Sequence, residues 1–154
     1  MQARAVAVVT SLALAFAVAA CGPGSASTAP VTGGGLAVSG AWVRAAQAGA
    51  TSAAYMTLAN GQAAHDALVG VSATDVTDDA SIHETTSDGS GMTGMQHIDS
   101  IEIPAGGTVA LEPGGYHVML MDLKKELKAG DRVTLVLTLD QAGVINVDAE
   151  VRAN

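Results

Sequence analysis

Basic residues are scarce. Seven Lys and Arg stand against fifteen Asp and Glu, for a formal net charge of −8, and no basic run is present to neutralise phosphates, so nucleic acid is excluded as a partner. Aromatic residues are equally few, with one Trp, two Tyr and one Phe among 154 residues. Long amphipathic helical stretches are missing too, and so is any internal repeat that would mark a solenoid. The eighteen glycines follow no collagen-like period. What remains is a chain that is 49% hydrophobic, enough for one domain with one modest core.

Cysteine is rarest of all, with Cys21 alone. It follows Arg4 and the apolar run Ala5 to Ala20, AVAVVTSLALAFAVAA, which is short of the about 20 apolar residues a membrane span needs and has the form of a signal peptide. Val18-Ala19-Ala20-Cys21 resembles a bacterial lipobox. That resemblance implies a leader over residues 1–20, a mature chain beginning at an acylated Cys21, and an exported protein held to the extracytoplasmic side of the membrane by its lipid anchor. With the thiol acylated, neither a His2Cys blue-copper site nor a thiolate zinc site can be built.

Residues 21–35 end in GPGSASTAPVTGGG, a composition that reads as a flexible linker. From Leu36 to Asn154 the chain is expected to form one all-β domain, because short apolar or alternating runs are separated by Gly, Asn, Asp and Pro. Strands are expected at Leu36–Arg44, Ala53–Ala59, Ala67–Thr74, Ser81–Thr85, Thr108–Leu111, Tyr116–Leu123, Arg132–Asp140 and Val144–Val151. The alternation of Val133, Leu135, Leu137 and Leu139 with polar neighbours gives one buried and one wet face, as in a sandwich or small barrel. Asp122–Asp131 reads as a surface connection rather than a helix, since Gly130 ends it early.

Four histidines and, beyond Met1, five methionines are available. They are unevenly placed: His83, Met92, Met95, His97, His117, Met119 and Met121 fall within 39 residues. In Tyr116-His117-Val118-Met119-Leu120-Met121 a period of two puts His117, Met119 and Met121 on one strand face. Thioethers are neutral and polarisable, and a mixed set of imidazole and thioether donors favours Cu(I) over hard divalent ions. Such donors add no negative charge, so the ion stays cationic and open to ligand exchange.

His83, eleven residues, Met95, twenty-one residues, His117-Val118-Met119 resembles the signature of the extracytoplasmic copper chaperones called PCu(A)C. Flanking words match as well: Ile82-His83-Glu84, Ile101 to Gly107 (IEIPAGG) and Pro113 to Met121 (PGGYHVMLM). The resemblance covers Leu36 to Val151. It implies a Greek-key, cupredoxin-like β-barrel or sandwich with an exposed site in which His83, Met95, His117 and Met119 hold Cu(I). It also implies a recipient, the apo CuA domain of cytochrome c oxidase, served alongside Sco-type thioredoxin-like assembly proteins. A copper-buffering or copper-resistance lipoprotein without a dedicated recipient is the alternative, and a scaffold module with incidental His and Met is a further one.

Met92, His97 and Met121 are candidate auxiliary donors, while Met56 reads as core filler and His65 as a solvated loop residue. Trp42 and Tyr55 read as core aromatics, and Tyr116 as a shield beside His117. Gly89 to Gly94 matches G-x-G-x-x-G, but no helix is expected after it, so no dinucleotide site follows. No nucleophile elbow, H-E-x-x-H or paired-carboxylate arrangement is present, and no enzyme activity is expected.

Overall fold

The computed structural model describes residues 30–87, 89 and 91–153. The expected leader, the lipidated Cys21 and most of the linker lie outside the described residues. The described chain is all-β, with no helix. Its strands are β1 (Val31–Gly33), β2 (Leu36–Arg44), β3 (Ser52–Asn60), β4 (Asp66–Ser72), β5 (Asp79–Ser87), β6 (Thr93–His97), β7 (Ile101–Ile103), β8 (Thr108–Leu111), β9 (Tyr116–Met121), β10 (Arg132–Leu139) and β11 (Gly143–Arg152). They form one sheet in the order β6-β5-β9-β8-β3-β2-β11-β10-β4-β7, with β1 beside β2 and β9 also paired to β3.

The sheet cannot be flat. β6 and β7 lie at its two ends in pairing order, yet only residues 98–100 join them, and three residues reach at most about 11 Å. The sheet therefore curls on itself, and β4 near one end comes to lie against β5 near the other. This is the expected Greek-key, cupredoxin-like barrel. Its inner face carries the core, with Leu36, Val38, Leu58, Leu68, Val118, Leu120, Leu135 and Leu137 all at most 1% exposed. The alternation expected from Val133 to Leu139 holds, and all four of those side chains are buried.

Four strands depart from expectation, among them β7, since no strand was expected at Ile101–Ile103. β1 occupies part of the expected linker, because Gly34 and Gly35 both have positive φ (54° and 82°). That geometry makes a two-residue turn that pairs Val31 with Val38. β6 starts inside the glycine-rich loop, pairing Thr93 with Ser87. The strand expected to run to Leu123 stops at Met121, where Asp122 takes φ 47°.

One residue decides which side chains leave the core. In β2, Leu36 and Val38 point inward, but so do Ala41 and Val43, so the inward phase changes from even to odd numbers. The change falls where the β2–β3 register shifts, between Ser39 and Trp42, at Gly40 with φ 63°. This bulge turns Trp42 and Arg44 to the outer face. No atom lies within 4 Å of a Cβ built on Gly40, so Gly40→Ala meets backbone strain alone. It is expected to lower unfolding free energy by about 1 to 2 kcal/mol, read from urea denaturation.

Candidate metal centre

Residues opposite one another in a sheet project to the same face, and so do residues two apart on one strand. His83 pairs with His117 across β5 and β9 and with His97 across β5 and β6. Thr85 faces Met95. Met119 faces Ser81 on one side and Ala53 on the other, and Tyr55 faces Trp42. Since Val118, Leu120 and Ile82 are core residues, the registers place His83, His117, Met119, Met95, Tyr55, Trp42 and Arg44 together on the outer face.

The two central imidazoles lie 5.9 Å apart, centroid to centroid, tilted by 31°. Each uses one ring nitrogen and keeps one in reserve. His117 is 4% exposed, and its Nδ1 lies 3.1 Å from the Gly115 carbonyl oxygen. A carbonyl only accepts, so Nδ1 carries the proton and donates, which leaves Nε2 with the lone pair. That Nε2 is buried and has no hydrogen-bond partner. His83 Nε2 lies 3.0 Å from the Ser81 hydroxyl oxygen, while its Nδ1 is likewise buried and unpartnered. A buried nitrogen without a partner is costly in a native fold. Two of them side by side point to a missing ligand.

Beside His117 opens a cavity of about 250 Å³ walled by His117, Met119, Met95, Tyr55, Thr85 and Arg44, among others, with His83 outside its lining. None of its lining residues is a carboxylate. Among the described residues no three His, Cys, Asp or Glu side chains converge as a metal cage requires. The soft donors in its wall are His117, Met119 and Met95. Met119 is half-buried and Met95 is 64% exposed.

Of the three auxiliary candidates, His97 lies as near to His83 as His117 does, and Met92 and Met121 lie outside the cavity wall. Met121 lies beyond Met119 opposite Asp79, its carbonyl bonded by the Thr77 hydroxyl. Met92 is 69% exposed on the β5–β6 connection, and neither it nor Met121 lines the cavity. His97 stacks edge-on against His83 at 5.6 Å but lines a different cleft with Ser81 and Asp99. Tyr116 is not a shield; it packs against the core, on the other side of the strand from His117. Trp42 and Tyr55 are absent from the core cluster. Their rings stack 4.5 Å apart on the outer face, and Tyr55 stands 6.5 Å from His117. Sequence reasoning missed Arg44, Tyr55 and Ser81 as neighbours of the site.

The model of the family described as "Putative lipoprotein LpqE-like" matches residues 36–151. The copper-bound PCuAC domain from PmoF2 is similar in structure, with a TM-score of 0.69 at 27% identity, over 81% of this chain and 98% of that one. The chain belongs to the PCuAC family. Another similar PCuAC structure is the solution structure of CuI-DR1885 from Deinococcus radiodurans, with a TM-score of 0.60 at 34% identity, over 86% of this chain and 84% of that one. "Putative lipoprotein Lxx21020" of Leifsonia xyli subsp. xyli (strain CTCB07) is 34% identical over 130 residues, which is 84% of this chain and 77% of that protein.

In this PCuAC domain the protonation of one site imidazole is set by its surroundings. Burial pushes His83 below its ordinary 6.5, the neighbouring His117 and His97 push the same way, and Asp79 opposes them. The ring is thus less charged than a free imidazole at the same pH, which favours its lone pair. Because the folded value is lowered, the unfolded chain binds this proton more readily. The group's contribution to stability is full above 6.5 and is lost as pH falls through the lowered value. An NMR titration of the metal-free protein should give a His83 midpoint below 6.5. His97→Gln, which removes one of the two repulsions but not the burial, should raise that midpoint only part of the way.

Proposed function

We propose that the protein is an exported Cu(I) carrier, tethered to the membrane through Cys21, that binds one ion through His83, His117, Met95 and Met119 and hands it to a cuproprotein. The observation that carries this reading is the pair of buried, unpartnered nitrogens, His83 Nδ1 and His117 Nε2, on the face that also bears Met119 and Met95 beside a cavity without carboxylates. Two imidazoles and two thioethers suit a soft monovalent ion and offer little to Mg²⁺, Ca²⁺ or Mn²⁺. The copper named in the structures of similar domains, copper-bound PmoF2 and CuI-DR1885, supports the same cargo.

Release follows from the gradient of exposure. His117 is buried and fixed by Gly115, whereas Met95 sits on β6, whose five residues are all exposed. A donor from a recipient protein can replace Met95 first while the imidazoles still hold the ion. Only ligand exchange occurs, with no bond made or broken in a substrate, so the reading is of a carrier and not of an enzyme. The CuA centre of cytochrome c oxidase, or a Sco-type thioredoxin-like protein, is the proposed recipient. The lipoprotein descriptions of the family and of the Leifsonia relative support the anchor.

Replacing both His83 and His117 by Ala should weaken Cu(I) binding by more than about a hundredfold, since loss even of the groups that orient metal ligands costs 10- to 100-fold. Competition against a Cu(I) chelator measures this, and an unchanged affinity refutes the site. X-ray absorption of the Cu(I)-loaded protein should count two nitrogen and two sulfur donors. Met95→Leu should remove one sulfur, and Met92→Leu should remove none. Transfer of copper to an apo CuA domain supports the carrier, and retention would favour copper buffering.

A further inference from the structure

Among the described residues, Arg44 is the only charged side chain in the wall of the cavity beside His117, Met119 and Met95. It is there because the Gly40 bulge turned it out of the core phase. Its Nη2 donates to the Tyr55 hydroxyl at 3.3 Å, and its guanidinium carbon lies 6.0 Å from the centre of that ring. Neither contact offsets its charge. Its Nε is buried and has no partner, and among the described residues none of the ion pairs includes it. The contrast with its neighbour is direct. Arg152 sits opposite Arg44 across β11 and β2, and its Nε lies 3.6 Å from a Glu150 carboxylate oxygen. Although the chain has fifteen acidic and seven basic residues, the cation beside the metal donors has no ion-pair partner among the described residues, and an arginine cannot shed its proton.

We propose that Arg44 sets the charge selectivity of the site, holding it to a monovalent ion and against a divalent one. This rests on the Cu(I) reading given above. A fixed positive charge repels a bound cation in proportion to that cation's charge, so the logarithmic penalty on Cu(II) is twice the penalty on Cu(I). The four donors are neutral and no carboxylate lines the cavity among the described residues; Asp79, which acts on His83, is the charge that works against Arg44. Arg44 touches no donor atom in the structure and acts on the ion through space.

The test uses the full chain with Arg44→Gln, which removes the charge and keeps an amide able to donate to the Tyr55 hydroxyl, and Arg44→Lys, which keeps the charge. For a unit charge in the wall of an open site, Arg44→Gln should tighten Cu(I) about fivefold and Cu(II) about twenty-five-fold. The reduction potential should fall by the matching fivefold ratio, about 40 mV, and Arg44→Lys should stay near the parent. A second neutral variant, Arg44→Leu, should show the same squared relation if Arg44→Gln does not fold. Equal changes for both ions, weaker binding of either, or a lysine variant that behaves like the neutral ones would overturn the proposal. The His83→Ala/His117→Ala protein is measured in parallel. If it keeps its copper affinity, the site assignment itself fails. If it loses that affinity while Arg44→Gln leaves the Cu(II) to Cu(I) ratio unmoved, only the role of Arg44 fails.

Discussion

The register of β5 against β9 is the constraint on which the site depends. His83 faces His117 only because Ile82 faces Val118 and Ala80 faces Leu120, with Val118 and Leu120 fully buried and Ile82 nearly so. A slip of one residue would drive His83 into the core and expose Ile82, at about 2 kcal/mol or more for the lost burial of the isoleucine alone. The apolar face therefore fixes the polar one. No contact between the two imidazoles is needed to bring them together, and their mutual repulsion when charged would not favour it. The core positions the donors, and the two buried nitrogens are strain that the core sustains.

A second adjustment completes the wall opposite the histidines. Had β2 kept its phase through Gly40, Trp42 and Arg44 would point inward with Leu36 and Val38. The bulge reverses them, so that a stacked Trp42–Tyr55 pair and an arginine flank a pocket otherwise made of imidazole and thioether groups. One glycine with positive φ thereby changes both the shape and the charge of the site without altering the sheet order.

This also explains which parts were legible beforehand. β2 and β8 fall at the expected limits, Leu36–Arg44 and Thr108–Leu111, because their apolar residues or flanking turns mark them. The face shared by His117 and Met119 was legible because β9 keeps a strict period of two. Trp42 was misread as a core residue, and Tyr55 is buried as expected but outside the main cluster: size and apolarity say that a side chain will be covered, not which face will cover it. β6 carries no signal at all, since every one of its residues is exposed and its pairing is set by β5. β1 hid in a run of small residues because a Gly-Gly turn and a glycine linker have the same composition. That Thr85 faces Met95 follows from strand pairing across a loop and from nothing local.

Placing the donors on the outer face separates folding from loading. A small zinc domain whose ligands form its core is unfolded without its metal, so binding and folding are one event and the ion is hard to remove. Here the cluster that runs from Leu36 to Val151 lies on the other side of the sheet and includes neither site histidine. The fold can stand while the site is empty, and emptying it costs no more than the metal–ligand bonds. The proposed ligands grade from His117, 4% exposed, to Met95, 64% exposed. A carrier needs that gradient: an ion enclosed on every side could be released only by unfolding, and one exposed on every side would be lost to water.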